Sequence, residues 1–197
     1  MAGIGRFAYY ERLSEEHQAI YRKSAAVATI PLPDVAALRE LAGKIDEALA
    51  TGKRARVAAA STALATTMMA QLGVVGPKIH VREVRPQLDD GELHGLYTFA
   101  HDGRPPELEV WMRTAAQGKV VRFRTFLRTL VHELVHHLDI TLLGLEESFH
   151  TEGFFRRESS LVRQLAPRVE PRAKKKAAKR SAPSKPPRRP FVQLDLF

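Results

Sequence analysis

The sequence predicts an α+β fold, and three observations predict it. Helical periodicity fills the first third of the chain, three short strand-like runs lie between residues 78 and 113, two of them alternating apolar and polar residues, and a long amphipathic run with a shorter one behind it follows. The expected architecture is therefore a set of N-terminal helices, a small sheet of about three strands, a long helix and a C-terminal helix, with a basic tail behind them.

Each element has its own signal. In LSEEHQAIYRKSAAVATI a helix is expected from about Ser14. In PDVAALRELAGKIDEALATG, Asp34 suits the N-cap, Val35, Leu38, Leu41, Ile45 and Leu49 form an apolar stripe, and Gly52 stands where a helix stops. The Ala-rich KRARVAAASTALATTMMAQLG reads as a buried third helix ending at Gly73, with Met68 and Met69 as core filler. KIHVREV, LHGLYTFA and ELEVWMR read as strands, and HDGRPP is a turn that would join the last two in a hairpin. After Gly118, KVVRFRTFLRTLVHELVHHLDITLLGL predicts a long helix with Phe123, Leu127, Leu130, Leu134 and Leu138 on its buried side. ESFHTEGFFRRESSLVRQL reads as a turn and a last helix. The expected organisation is a helical region over 1–74, a core over 75–165, a disordered basic linker over 166–190 and a terminal peptide over 191–197.

Composition narrows the chemistry. The 197 residues are 44% hydrophobic and 27% charged, ordinary for a globular domain. With no Cys there is no disulfide, thiolate ligand or thiol nucleophile. No run reaches the ~18 apolar residues of a membrane span, and the N-terminus lacks a signal-peptide core, so a cytoplasmic protein without a membrane partner is expected. The net charge of +9 is concentrated: ten Lys and Arg lie from Arg168 to Arg189, against Glu170 and Asp195. This tail is too poor in large apolar residues to offset its ordering entropy. It reads either as a solubilising linker or, through Lys174, Lys175, Lys176, Lys179, Arg180, Lys185, Arg188 and Arg189, as a segment attracted to a polyanion, most simply nucleic acid.

The long helix contains HELVH, His132 to His136. Residues four apart share a helix face, so two imidazoles there can share one Zn²⁺. Glu133 lies about 100° round the helix, beside the two ligands and not between them. It is placed to take a proton from a water activated by the metal. A third ligand is needed. His137 points elsewhere. Asp139, seven residues beyond His132, lies about 10 Å further along the axis. It suits a supporting role instead, orienting an imidazole or pairing with Arg128 or another cation. His150 is the favoured third ligand, because Gly144 stops the helix and lets the chain fold back. Glu152 is the fallback, and Glu146, Glu147 and Glu158 are expected to be helix-surface charges. Tyr97 and His101 could donate to a developing oxyanion, but each reads first as an ordinary strand or turn residue.

Residues 75–165, with HELVH followed by HTEGFF, resemble the zincin metallopeptidase core and in particular the SprT-like domain. In that domain a third His stands in a His-Gly motif with a Phe a few residues on; here Thr151 replaces that Gly, and Gly153 comes later. The resemblance implies zinc-dependent hydrolysis of peptide bonds, one Zn²⁺ per chain, and a protein substrate lying along the sheet edge. That edge is expected to be ELEVWMR, the strand nearest the long helix in sequence. The chain ends in QLDLF, and Gln193, Leu194, Asp195, Leu196 and Phe197 are similar to the pentapeptide by which bacterial proteins bind the DNA polymerase sliding clamp. An extended peptide of this kind offers Leu196 and Phe197 to an apolar pocket. Spartan-like proteases combine a SprT-like domain, DNA-binding segments and a clamp-binding peptide, and they degrade proteins crosslinked to DNA; this chain looks like a bacterial counterpart at the replicating nucleoid. The competing expectation is a non-catalytic clamp and DNA adapter whose metal only supports the fold.

Overall fold

The elements follow the expected order. A computed structural model describes residues 7–89 and 91–166, and among them are five α-helices and a three-stranded sheet. The basic stretch and the QLDLF peptide lie outside the described residues.

Local chemistry sets the helix ends. α1 (Glu15–Ala26) begins at Ser14, whose hydroxyl accepts the His17 N–H at 3.2 Å. α2 (Val35–Ala50) begins at Asp34, whose carboxylate accepts the Ala37 N–H at 3.0 Å. α3 (Arg54–Gln71) is followed by Gly73 at φ +70°, a left-handed stop that glycine takes without strain. Of the stripe on α2, Leu38, Ile45 and Leu49 are buried and Val35 and Leu41 half-buried, and Met68 and Met69 lie in the core as expected.

The strands depart from expectation in two respects. β1 (Lys78–Val84) is followed by a two-residue ribbon, β2 (Gln87–Leu88) and β3 (Gly91–Glu92), too short to leave a periodic signal. β4 (Gly95–Thr98) and β5 (Glu107–Arg113) form the expected antiparallel hairpin, and β1 pairs parallel to the far side of β5. ELEVWMR is therefore the middle strand, in the order β1-β5-β4, and is not an edge. Leu108, Val110 and Met112 form its buried face, and on the other face Trp111 is buried while Glu107, Glu109 and Arg113 are partly exposed. Among the described residues the edge strand beside the long helix is β4.

α4 (Phe123–Thr141) starts four residues later than Lys119, because the preceding segment returns to the sheet. Val120 bridges Arg113, and the Val121 N–H donates to the Met112 carbonyl at 2.9 Å. Gly144 (φ +60°) turns the chain, and α5 (Glu152–Leu165) closes the fold. One core draws on α2, α3, β1, β5, α4 and α5, so helices from the first third pack with the rest. Among the described residues no helix is long and apolar enough to cross a membrane.

Candidate metal centre

His132 and His136 stand one turn apart on α4, and the turn after Gly144 returns His150 to them. The His150 Nε2 lies 3.0 Å from His132 Nε2 and 3.1 Å from His136 Nε2. Two nitrogens bound to one tetrahedral zinc at 2.0–2.1 Å are about 3.3 Å apart, so the observed spacing is within a few tenths of an ångström of that arrangement. These three residues form a group able to hold a metal ion.

The hydrogen bonds fix what the nitrogens offer. The His132 Nδ1 is 3.1 Å from a Glu158 carboxylate oxygen, which can only accept, so this Nδ1 carries the proton. The Ser148 hydroxyl donates to Asp139 at 2.8 Å and therefore accepts from His136 Nδ1, also at 2.8 Å. Both Nε2 atoms then present bare lone pairs to the point that His150 Nε2 faces. A single proton on His150 could satisfy only one of them. A cation satisfies all three, and this donor set suits zinc. Burial, reinforced by His132 and His150, pushes the His136 pKa down to about 3, and burial followed by His132 lowers that of His150. Both are thereby kept neutral, as ligation requires.

The supporting residues come from distant segments. Glu158, expected at the surface, is only 3% exposed, and it holds His132 on one oxygen and Arg128 on the other. Burial alone would raise its pKa, but these two hydrogen bonds bring it below the usual carboxylate value. Asp139 pairs with Arg157 at 2.8 Å, both fully buried, and not with Arg128. The same Arg157 donates to the Ser24 and Val27 carbonyls at the end of α1, at 2.6 and 2.5 Å, and to the Ser24 hydroxyl at 2.9 Å. Asp139 thus reaches His136 through Ser148 and reaches α1 through Arg157.

HTEGFF divides its labour. Thr151 caps α5 by accepting the Phe154 N–H at 3.0 Å, and its hydroxyl lies 2.9 Å from that of Ser24. A Cβ on Gly153 would collide with the α1 backbone at Ser24 and Ala25, so only glycine allows this approach. Phe154 lies under the triad, its ring centroid 4.6–4.9 Å from all three imidazoles. The Tyr9 hydroxyl donates to the His150 carbonyl at 3.0 Å.

Glu133 sits across from the ligands, against β4. Burial raises its pKa to about 7, and the Tyr97 N–H donates to its carboxylate. Gly95 makes room for it, since a Cβ there would run into the carboxylate. His137 faces away from the triad, as expected. Its Nε2–H donates to the Val75 carbonyl at 2.7 Å, which leaves Nδ1 to accept the Tyr97 hydroxyl at 3.0 Å. The Tyr97 hydroxyl is committed there, and burial lifts its pKa to about 12. His101 is exposed, with Nδ1 3.0 Å from the Phe99 carbonyl. Glu152 pairs with Arg156 and lies outside the group of possible ligands, while Glu146 and Glu147 are exposed.

Sequence reasoning missed Ser148, Glu158, Phe154 and Arg157. Glu158 had a readable signal: Phe154, Glu158, Leu161 and Leu165 share one face of α5, and a carboxylate on an apolar stripe must be paired. No protein-family model, curated protein or solved structure matches this chain.

Proposed function

We propose that this chain is a zinc-dependent endopeptidase of the SprT-like zincin type, acting on DNA-associated proteins, including proteins crosslinked to DNA. The observation that carries the reading is the convergence of three Nε2 atoms next to a buried carboxylate, beside the edge strand β4. When bound, zinc would supply Lewis acidity, polarising a peptide carbonyl and a water. His132, His136 and His150 would hold it, oriented from behind by Glu158 and by Asp139 through Ser148.

Glu133 is the base. It takes a proton from the attacking water and returns one to the leaving amine, and an acceptor titrating near neutral pH suits both transfers. The Tyr97 N–H and the space left by Gly95 fix where its carboxylate stands. The substrate lies extended along β4, binding through backbone hydrogen bonds with little demand on sequence. The basic residues from Lys174 to Arg189 would run along DNA phosphates, and Gln193–Phe197 would dock on the sliding clamp, raising the local concentration of the peptidase at the replication fork.

The test is zinc content together with cleavage. The full chain should bind one equivalent of zinc, and His132→Ala and His150→Ala should lose it. Glu133→Gln should keep the zinc and cease to cleave a denatured protein such as casein; full cleavage by that variant would sink the mechanism. Deletion of residues 193–197 should abolish capture by immobilised sliding clamp while leaving casein cleavage intact.

A further inference from the structure

Two clefts meet at the triad, and their walls differ in chemistry. Gly95, His132 and Glu133 line both, so the two clefts adjoin at Glu133. The smaller, of about 270 Å³, is walled by Leu96, Tyr97 and Phe99. Leu96 and Phe99 are 44% and 45% exposed, apolar surface that an extended ligand on β4 would cover. The larger, of about 580 Å³, is walled by the first turns of α4, with Arg124, Thr125, Arg128 and Thr129.

The charges of the larger cleft are almost all matched. Glu92 accepts from Arg85 at 3.1 Å and from the Ala115 and Ala116 N–H groups at 3.0 and 3.3 Å. Glu158 is taken by Arg128 and His132. Burial, with Arg85 nearby, keeps His94 neutral. Glu133 is engaged by the Tyr97 N–H. Arg124 has no polar partner among the described residues, whereas Arg128, one helical turn on, is already paired with Glu158, so Arg124 is the cation of this cleft that a ligand carboxylate would pair with.

We propose that the larger cleft selects an acidic side chain adjacent to the scissile bond, with Arg124 as its counter-ion, while the smaller cleft takes an apolar side chain on the other side. This rests on the endopeptidase reading and gives it a substrate class: chains carrying an apolar and an acidic residue flanking the cut. A lysine in the larger cleft would meet the unpaired Arg124 guanidinium, since Arg128 is already taken by Glu158, and is disfavoured there by repulsion and by the lack of a partner. The preference is bounded by solvent at the cleft mouth. An exposed ion pair sets it at up to about fivefold over a neutral side chain.

The experiment is a cleavage-site profile. The zinc-loaded full chain and its Arg124→Glu and Arg124→Gln variants are incubated with a proteome-derived peptide library, and the cut sites are read by mass spectrometry. The wild type should enrich Asp and Glu at one position beside the cut and apolar residues across it. Arg124→Gln should flatten the acidic enrichment and leave the apolar one, and Arg124→Glu should reverse it toward Lys and Arg. Cleavage by all three proteins with the same profile overturns the proposal and leaves the endopeptidase reading intact. No cleavage by the zinc-loaded wild type overturns both.

Discussion

His132 and His136 stand one turn apart on the same helix, yet they are held by different devices. His132 meets a carboxylate directly: Glu158 reaches it from α5, and the charge is shared with Arg128 at the surface. His136 meets a hydroxyl, and the carboxylate stands one step behind, at Asp139, locked to a buried Arg157. The first device is confined to two helices. The second passes through Arg157 into the carbonyls at the end of α1, so the orientation of one imidazole is tied to the integrity of the whole fold. The direct device should govern metal affinity with little effect on stability. The relayed device should govern both.

Arg157→Ala gives the largest expected effect. It leaves Asp139 as an uncompensated buried charge and strips two α1 carbonyls of their donor, a loss of about 3–5 kcal/mol in urea unfolding. Zinc should be lost along with stability. If the variant unfolds like the wild type, the relayed device is not structural and the contrast collapses.

Glu158→Gln comes next and isolates the direct device. The amide keeps the shape but gives up the charge, and zinc affinity in a chelator competition should weaken by about 10–100-fold. The metal-free melting temperature should change little by comparison with Arg157→Ala. A melting temperature lowered as far as in Arg157→Ala would show that the two devices are not distinct.

Ser148→Ala is the mildest. It cuts the relay between Asp139 and His136 while Arg157 stays paired, so zinc affinity should fall by about tenfold, the lower end for a lost supporting contact, with the fold intact. A loss as large as that of Glu158→Gln would place direct and relayed orientation on the same footing.

The same division explains what could be read from sequence. The helix starts at Ser14 and Asp34 and the HELVH pair are local features, complete within a few residues, and the structure has them where the spacing puts them. The return of His150 followed from Gly144 and a short turn, again a local inference. What failed was non-local. ELEVWMR looked like an edge because nothing in its own residues announces that β1 will pair with it in parallel. Glu158 looked like a surface charge because its partners lie 26 and 30 residues away. Asp139 was recognised as a supporting residue, but of its expected partners only Arg128 was named, whereas the cation it meets is Arg157, 18 residues away in sequence.

The position of Arg157 has a practical consequence for anyone wishing to trim this protein. Counting elements invites a cut at residue 75, just ahead of the sheet, as if the helices before it were an appendage. Such a fragment would take away three of the four acceptors that the Arg157 side chain uses, together with the Tyr9 hydroxyl that steadies the carbonyl of His150. The minimal unit worth expressing starts ahead of Phe7.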